Sequence, residues 1–219
     1  MERFRIAIIG AGPAGMSAAA RAAVLDAKDG VTTPTHVLLE GFNAHAKTIQ
    51  RYQKGKHVMA EPGFLDLRSD MLFDAGSRET ILGQWSSDLE KAGVNIRMGA
   101  EVSAINGQKG EFTIDLANGS QVAAENVVLA IGLEGNPRKL GVDGQDLPTV
   151  QYQLDDPKAY EDERIVVVGA GDAAIENALA LAEQNDVLIL NRRDEFSRAK
   201  EGNLNGILAA ISNAEHRMQ

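Results

Sequence analysis

The chain has no cysteine. That absence excludes a disulfide framework, a redox-active thiol pair, a thiolate-held iron–sulfur cluster and a cysteine nucleophile within these residues. Histidine is scarce as well. His36, His45, His57 and His216 stand without metal-ligand spacing, so no metal site is expected. No run is long and apolar enough to span a membrane. The basic opening Met1-Glu2-Arg3-Phe4-Arg5 superficially mimics a secretion signal. Its apolar run is short and broken by glycines, which fits a buried strand better. Positive charge is in deficit, with 22 Lys and Arg against 31 Asp and Glu. A net charge of -9 turns the reading away from nucleic acid and anionic membranes as general partners. A cytoplasmic globular protein is expected, with room in 219 residues for one large domain or two small ones.

What is present begins at the N-terminus. Ile6-Ala7-Ile8-Ile9 runs into Gly10-Ala11-Gly12-Pro13-Ala14-Gly15, and an alanine-rich helix follows. A strand, a tight glycine turn and a helix N-terminus are the parts of a dinucleotide site. Gly10 makes the turn, Gly12 lets a pyrophosphate approach the backbone, and Gly15 lets helix and strand lie close. Pro13 suits a first helical turn. The helix N-terminus offers unpaired N–H groups to phosphates. The helix should stop near Lys28-Asp29-Gly30, and Thr35 to Glu40 reads as a buried parallel strand. Glu40 ends that strand, where a carboxylate accepts hydrogen bonds from ribose hydroxyls and repels a 2′-phosphate. The first site therefore suits FAD or NAD.

Residues 41–77 are too long for a simple turn and should contain short helices or a functional loop. Their basic cluster, Lys47, Arg51, Lys54, Lys56 and His57, reads as a solvated face, and Glu61-Pro62-Gly63 follows. Ser77-Arg78-Glu79-Thr80 opens a helix with Ile81, Leu82, Trp85 and Leu89 at helical spacing, and Gly93 ends it. Val94 to Arg97 is a strand. Antiparallel strands are expected at 102–105, 112–116 and 121–122, with Asn118-Gly119 as a hairpin turn. Val127 to Gly132 returns to the buried parallel pattern, and Asn136-Pro137-Arg138 follows. A linker over 141–148 marks a change of domain.

A second apolar strand, Ile165 to Val168, runs into Gly169-Ala170-Gly171-Asp172-Ala173-Ala174. A helix over 172–183 and a strand over 187–190 complete a second βαβ unit. At that strand's end stand Arg192 and Arg193, with Arg198 and Lys200 beyond. Guanidinium forks suit a 2′-phosphate, and no acid holds the ribose position. The exchange of acid for arginines assigns FAD to the first site and NADPH to the second.

With these residues the chain resembles the thioredoxin reductase-like branch of the flavoproteins that carry two dinucleotide-binding domains. The resemblance rests on the glycine runs at 10–15 and 169–174, Glu40, the Ala130-Ile131-Gly132 stretch through Pro137, Glu176, and Asn191 to Lys200. It implies an α/β fold of two Rossmann-like units, the first with an inserted antiparallel hairpin. It implies an FAD-binding domain over residues 1–137 and an incomplete NADPH-binding domain over 138–219. The residues it nominates for the cofactors are Gly10, Gly12, Pro13, Ala14, Gly15, Glu40, Gly132, Gly169, Gly171, Asp172, Ala173, Ala174, Glu176, Arg192, Arg193 and Arg198.

The implied activity is hydride transfer from NADPH to FAD and onward to an acceptor. The cofactors carry that chemistry, so no catalytic side chain is nominated. The family's C-x-x-C is replaced here by Val150 to Pro157, so the usual dithiol route to thioredoxin is not expected. The monooxygenase fingerprint is also absent. Relatives lacking C-x-x-C reduce ferredoxin or small disulfides, and the acceptor of this chain is open. Asn191 stands where the family has histidine, and Ser197 is an extra residue before Arg198. The chain stops before the segments that complete the family's second domain and close over the flavin. It is therefore expected to be a fragment that self-associates or belongs to a larger protein. A dinucleotide-binding or electron-transfer module without turnover is the alternative.

Overall fold

A computed structural model describes residues 1–60, 67–133, 138–193 and 195–212. Glu61-Pro62-Gly63, Asn136-Pro137 and Asp194 lie outside them, as do residues 213–219. The chain divides into two compact units, Met1–Tyr152 and Gln153–Gln219. The division comes later than the expected boundary at 137/138. Local hydrogen bonds knit the stretch between. The Leu140 N–H donates to the Tyr152 hydroxyl at 3.1 Å, the Gly141 N–H to Gln145 Oε1 at 2.8 Å, and Lys139 pairs with Asp146 at 2.8 Å.

The first unit opens with strand β1 (Glu2–Ile9), helix α1 (Pro13–Lys28) and strand β2 (His36–Leu39). The loop region holds a short helix α2 (Lys47–Gln50) and a two-stranded ladder of β3 (His57–Val58) and β4 (Gly76–Ser77). Helix α3 (Arg78–Ala92) starts and stops where its end signals lie. Ser77 Oγ accepts the Thr80 N–H, and Gly93 takes the left-handed conformation at φ 68°. Its Ile81, Trp85 and Leu89 face inward, and the Trp85 indole N–H donates to the Leu72 carbonyl at 3.1 Å. Next come β5 (Ile96–Arg97), β6 (Val102–Gln108), β7 (Glu111–Leu116) and β8 (Gln121–Leu129). The sheet order is β5-β2-β1-β8-β7-β6, parallel from β5 to β8 and antiparallel beyond.

One strand differs from expectation. Residues 121–122 and 127–129 are not two elements. Both belong to β8, which pairs with β7 along its first half and with β1 along nearly its whole length. The end of β8 and the residues after it are also less buried than the apolar run implied, since Leu129 and Ile131 are exposed.

Both faces of this parallel sheet are covered. Ile8 and Leu38 pack on α1 and α3 with Met16, Ala19, Trp85 and Leu89. Ala7, Val37 and Leu39 pack on the opposite side, against Ile114 and Leu116 of β7 and Val122 and Ala124 of β8. A buried polar network ties the sheet's start to α1. His36 Nε2 accepts the Asn95 N–H at 3.0 Å, so the proton sits on Nδ1 and is donated to Asp26 at 2.8 Å. Asp26 also accepts from the Thr35 N–H and hydroxyl. Burial alone would raise the Asp26 carboxyl, but the hydrogen bonds from Thr35 and His36 outweigh it and hold it below the usual carboxylate range.

The second unit has a 3-10 turn (Pro157–Ala159), strand β9 (Arg164–Val168), helix α4 (Asp172–Leu181), strand β10 (Asp186–Leu190) and helix α5 (Glu201–Ser212). β9 and β10 pair in parallel. Ile165, Val167, Val187 and Ile189 pack with Ile175, Ala178 and Leu181 of α4 and Ile207 of α5. The other sheet face is open, with Val166 and Val168 both 54% exposed, Leu188 40% and Leu190 47%. No helix among the described residues is long and apolar enough to cross a membrane.

Candidate functional site

In the first unit the three glycines of the turn stand under different constraints. Gly10 has φ +99°, and a Cβ there would sit 2.5 Å from the Ala130 carbonyl oxygen. A Cβ at Gly15 would sit 1.8 Å from the Gly10 oxygen. Gly12 has neither constraint. Its φ of -78° suits any residue, and nothing lies within 4 Å of where its Cβ would be. The fold does not require glycine there. Gly12 caps α1 without a side-chain hydrogen bond, and Pro13 and Ala14 are exposed in the first turn.

Glu40 is buried beside this turn. Its Oε2 accepts the Ala11 N–H at 2.7 Å, and its Oε1 accepts the Phe42 N–H at 2.8 Å. A carboxylate has about four acceptor positions, so capacity remains for ribose hydroxyls. A residue not foreseen also touches the turn. Ala46 holds a left-handed conformation at φ 53° and donates its N–H to the Ala11 oxygen at 2.7 Å. Its neighbour His45 is buried, with Nε2 2.7 Å from Ser86 Oγ. Burial pushes the His45 imidazole below its ordinary range, while Glu40 pulls the other way. Nothing local in the sequence marks either contact. Gly132 has φ +66° with open space around it, and Gly10 lies against Ala130 and Ile131 just before it.

The second unit repeats the turn. Gly169 has φ +136°, and a Cβ there would lie 3.2 Å from that of Ala174, which occupies the place of Gly15. Gly171, at φ -92°, caps α4 without a side-chain bond and again has nothing within 4 Å. Ala173 is exposed. The Asp172 carboxylate turns aside, its Oδ1 accepting the Lys200 N–H at 2.9 Å and Asn203 Nδ2 at 2.8 Å. Glu176 accepts from the same Asn203 Nδ2 at 3.1 Å.

Register refines the match between the strand ends. The Gly10 N–H donates to Leu39, and the Gly169 N–H to Leu190. Glu40 therefore corresponds to Asn191, not to Arg192. Asn191 donates its side-chain N–H to the Glu195 oxygen at 2.8 Å. Arg192, Arg193 and Arg198 are exposed beyond it.

The model of the pyridine nucleotide-disulphide oxidoreductase family matches residues 7–215. The chain belongs to that family. Within it, the chain is 29% identical over 193 residues to a ferredoxin–NADP reductase of Ignicoccus hospitalis, covering 86% of this chain and 56% of that one. It is 28% identical over 212 residues to a ferredoxin–NADP reductase of Lactiplantibacillus plantarum, covering 94% and 59%. The chain thus spans less than two thirds of the length of these curated relatives. Among solved structures it superimposes on the bacillithiol disulfide reductase of Staphylococcus aureus with a TM-score of 0.83 at 22% identity, covering all of this chain and 67% of that one. For the thioredoxin reductase of Lactococcus lactis the TM-score is 0.67 at 21% identity, covering 99% and 63%. These likenesses establish the fold, two Rossmann-type units.

Proposed function

We propose that the chain carries FAD on its first unit and NADPH on its second, as part of an oxidoreductase that passes electrons from NADPH through flavin to an acceptor. The observation that carries this reading is the pair of uncapped helix starts at Gly12 and Gly171. Each has a backbone any residue could adopt and an empty space where a Cβ would stand. When bound, the cofactors supply the hydride chemistry themselves. The protein's part is binding. Gly12, Ala14 and Gly15 offer N–H groups to the first pyrophosphate, and Glu40 takes the ribose. Gly171 with the backbone of Asp172, Ala173 and Ala174 faces the second pyrophosphate. Arg192, Arg193 and Arg198 read the 2′-phosphate. Gly132 adjoins the first cofactor.

The acceptor is a ferredoxin-type protein or a small disulfide, the activities that the relatives' names carry. None of these 219 residues is a cysteine that could relay electrons as a dithiol. The test is purification of the protein with excess FAD, then addition of NADPH or NADH without oxygen. Bleaching of the flavin absorbance by NADPH, with NADH at least tenfold weaker, is expected. A protein that takes up no flavin rejects the reading of the first unit. Equal affinity for the two nucleotides rejects that of the second.

A further inference from the structure

Asp172 sits in the first turn of α4, where an acid would repel a nucleotide pyrophosphate if it faced forward. Its carboxylate instead faces α5. Oδ1 accepts the Lys200 backbone N–H and the Asn203 side chain, and Asn203 is shared with Glu176 one turn further along α4. Lys200 closes the turn that carries Arg198. Within that turn the Ala199 N–H donates to the Phe196 oxygen at 2.9 Å, and Phe196 and Ala199 pack against the unit's apolar core. Arg198 thus projects from a turn fastened on both sides by packing and at its end by Asp172.

We infer that Asp172 is a positioning residue that sets nucleotide selectivity by holding the Arg198 turn against the phosphate-binding end of α4. The inference rests on the NADPH reading of the second unit. The Asp172 carboxylate links the N-terminal end of α4 to the turn that carries Arg198. Its loss loosens the end of the turn, and Arg198 then spends part of its binding energy on being ordered. NADH makes no use of Arg198, so its affinity should hold.

The experiment is calorimetric titration of the full chain with NADPH and NADH. Asp172→Ala is expected to weaken NADPH about tenfold, the loss of one charge-assisted hydrogen bond, and to leave NADH unchanged. Asp172→Asn keeps the Oδ1 acceptor and should keep the parent's preference. Asn203→Ala should weaken NADPH in the same direction by less. It provides an independent reading if Asp172→Ala does not fold. In an Arg198→Ala background, Asp172→Ala should cause no further loss, because it acts through that arginine. A parent without NADPH preference overturns the NADPH reading, and this inference with it. A parent that prefers NADPH overturns this inference alone if Asp172→Ala keeps that preference, weakens both nucleotides equally, or adds its full effect to Arg198→Ala.

Discussion

The two units share a turn and differ in what surrounds it. In the first, Ala7, Val37 and Leu39 are sealed by the antiparallel strands β7 and β8. In the second, the corresponding Val166, Leu188 and Leu190 are exposed. The helical sides are alike, with apolar strand residues packed against the helix that follows the glycines. The glycine turn and the packing of the following helix are alike in both units, although among the described residues the second sheet face is covered only in the first. The cover on the second face is supplied separately, and in the first unit the residues after α3 supply it.

The largest effect expected from this difference is on stability. Val37→Asp places a charge in a sealed layer and should cost about 4 kcal/mol or more. Leu188→Asp, at the matching position of the open face, should cost about 1 kcal/mol. Urea unfolding without added nucleotide measures both. Equal costs would show that the second face is covered in solution.

The third motif position should separate the units next. Gly15→Ala drives a methyl group into the Gly10 oxygen and should cost about 3 kcal/mol. Ala174→Gly in the second unit should cost only about 0.5–1 kcal/mol, through backbone entropy. The same unfolding series reads the contrast.

The middle glycines should affect ligands and not folding. A Cβ at Gly12 has nothing within 4 Å, so Gly12→Val should barely move the melting temperature of the flavin-free protein while flavin content falls. Gly171→Val should leave flavin content intact and abolish NADPH binding. Absorbance after denaturation and calorimetry report the two losses. A Gly12→Val protein with full flavin would break the assignment of the first unit.

The smallest effect concerns acid. Asp26 is held below its ordinary value of 3.8, so its unfolded form takes up a proton first as pH falls. Its contribution to stability is complete above that value and is lost as pH drops through the lower folded value. Asp26→Asn should therefore flatten the acid limb of the stability curve of the first unit, while the second unit keeps its own. Unchanged acid sensitivity in this variant would place the titrating group elsewhere.

Features that depend on neighbours along the chain were legible before any tertiary contact was known. Both glycine turns, the start of α3 at Ser77, its stop at Gly93 and the hairpin at Asn118-Gly119 follow from local backbone preference and capping. Glu40 was legible as a strand-end acid. What the tertiary structure alone decided depends on contacts between distant residues. The Glu40 carboxylate fastens Ala11, 29 positions away, and the His36 ring takes the N–H of Asn95, 59 positions away. Strand register put Asn191 in the place of Glu40, although the arginines beside it were plain in the text. The union of two apolar runs into β8 required β1 and β7 as partners. The turning of Asp172 away from the phosphate end of α4 required Lys200, 28 positions on. A side chain's type fixes which hydrogen bonds it can make, and only the folded chain brings the partner that takes them.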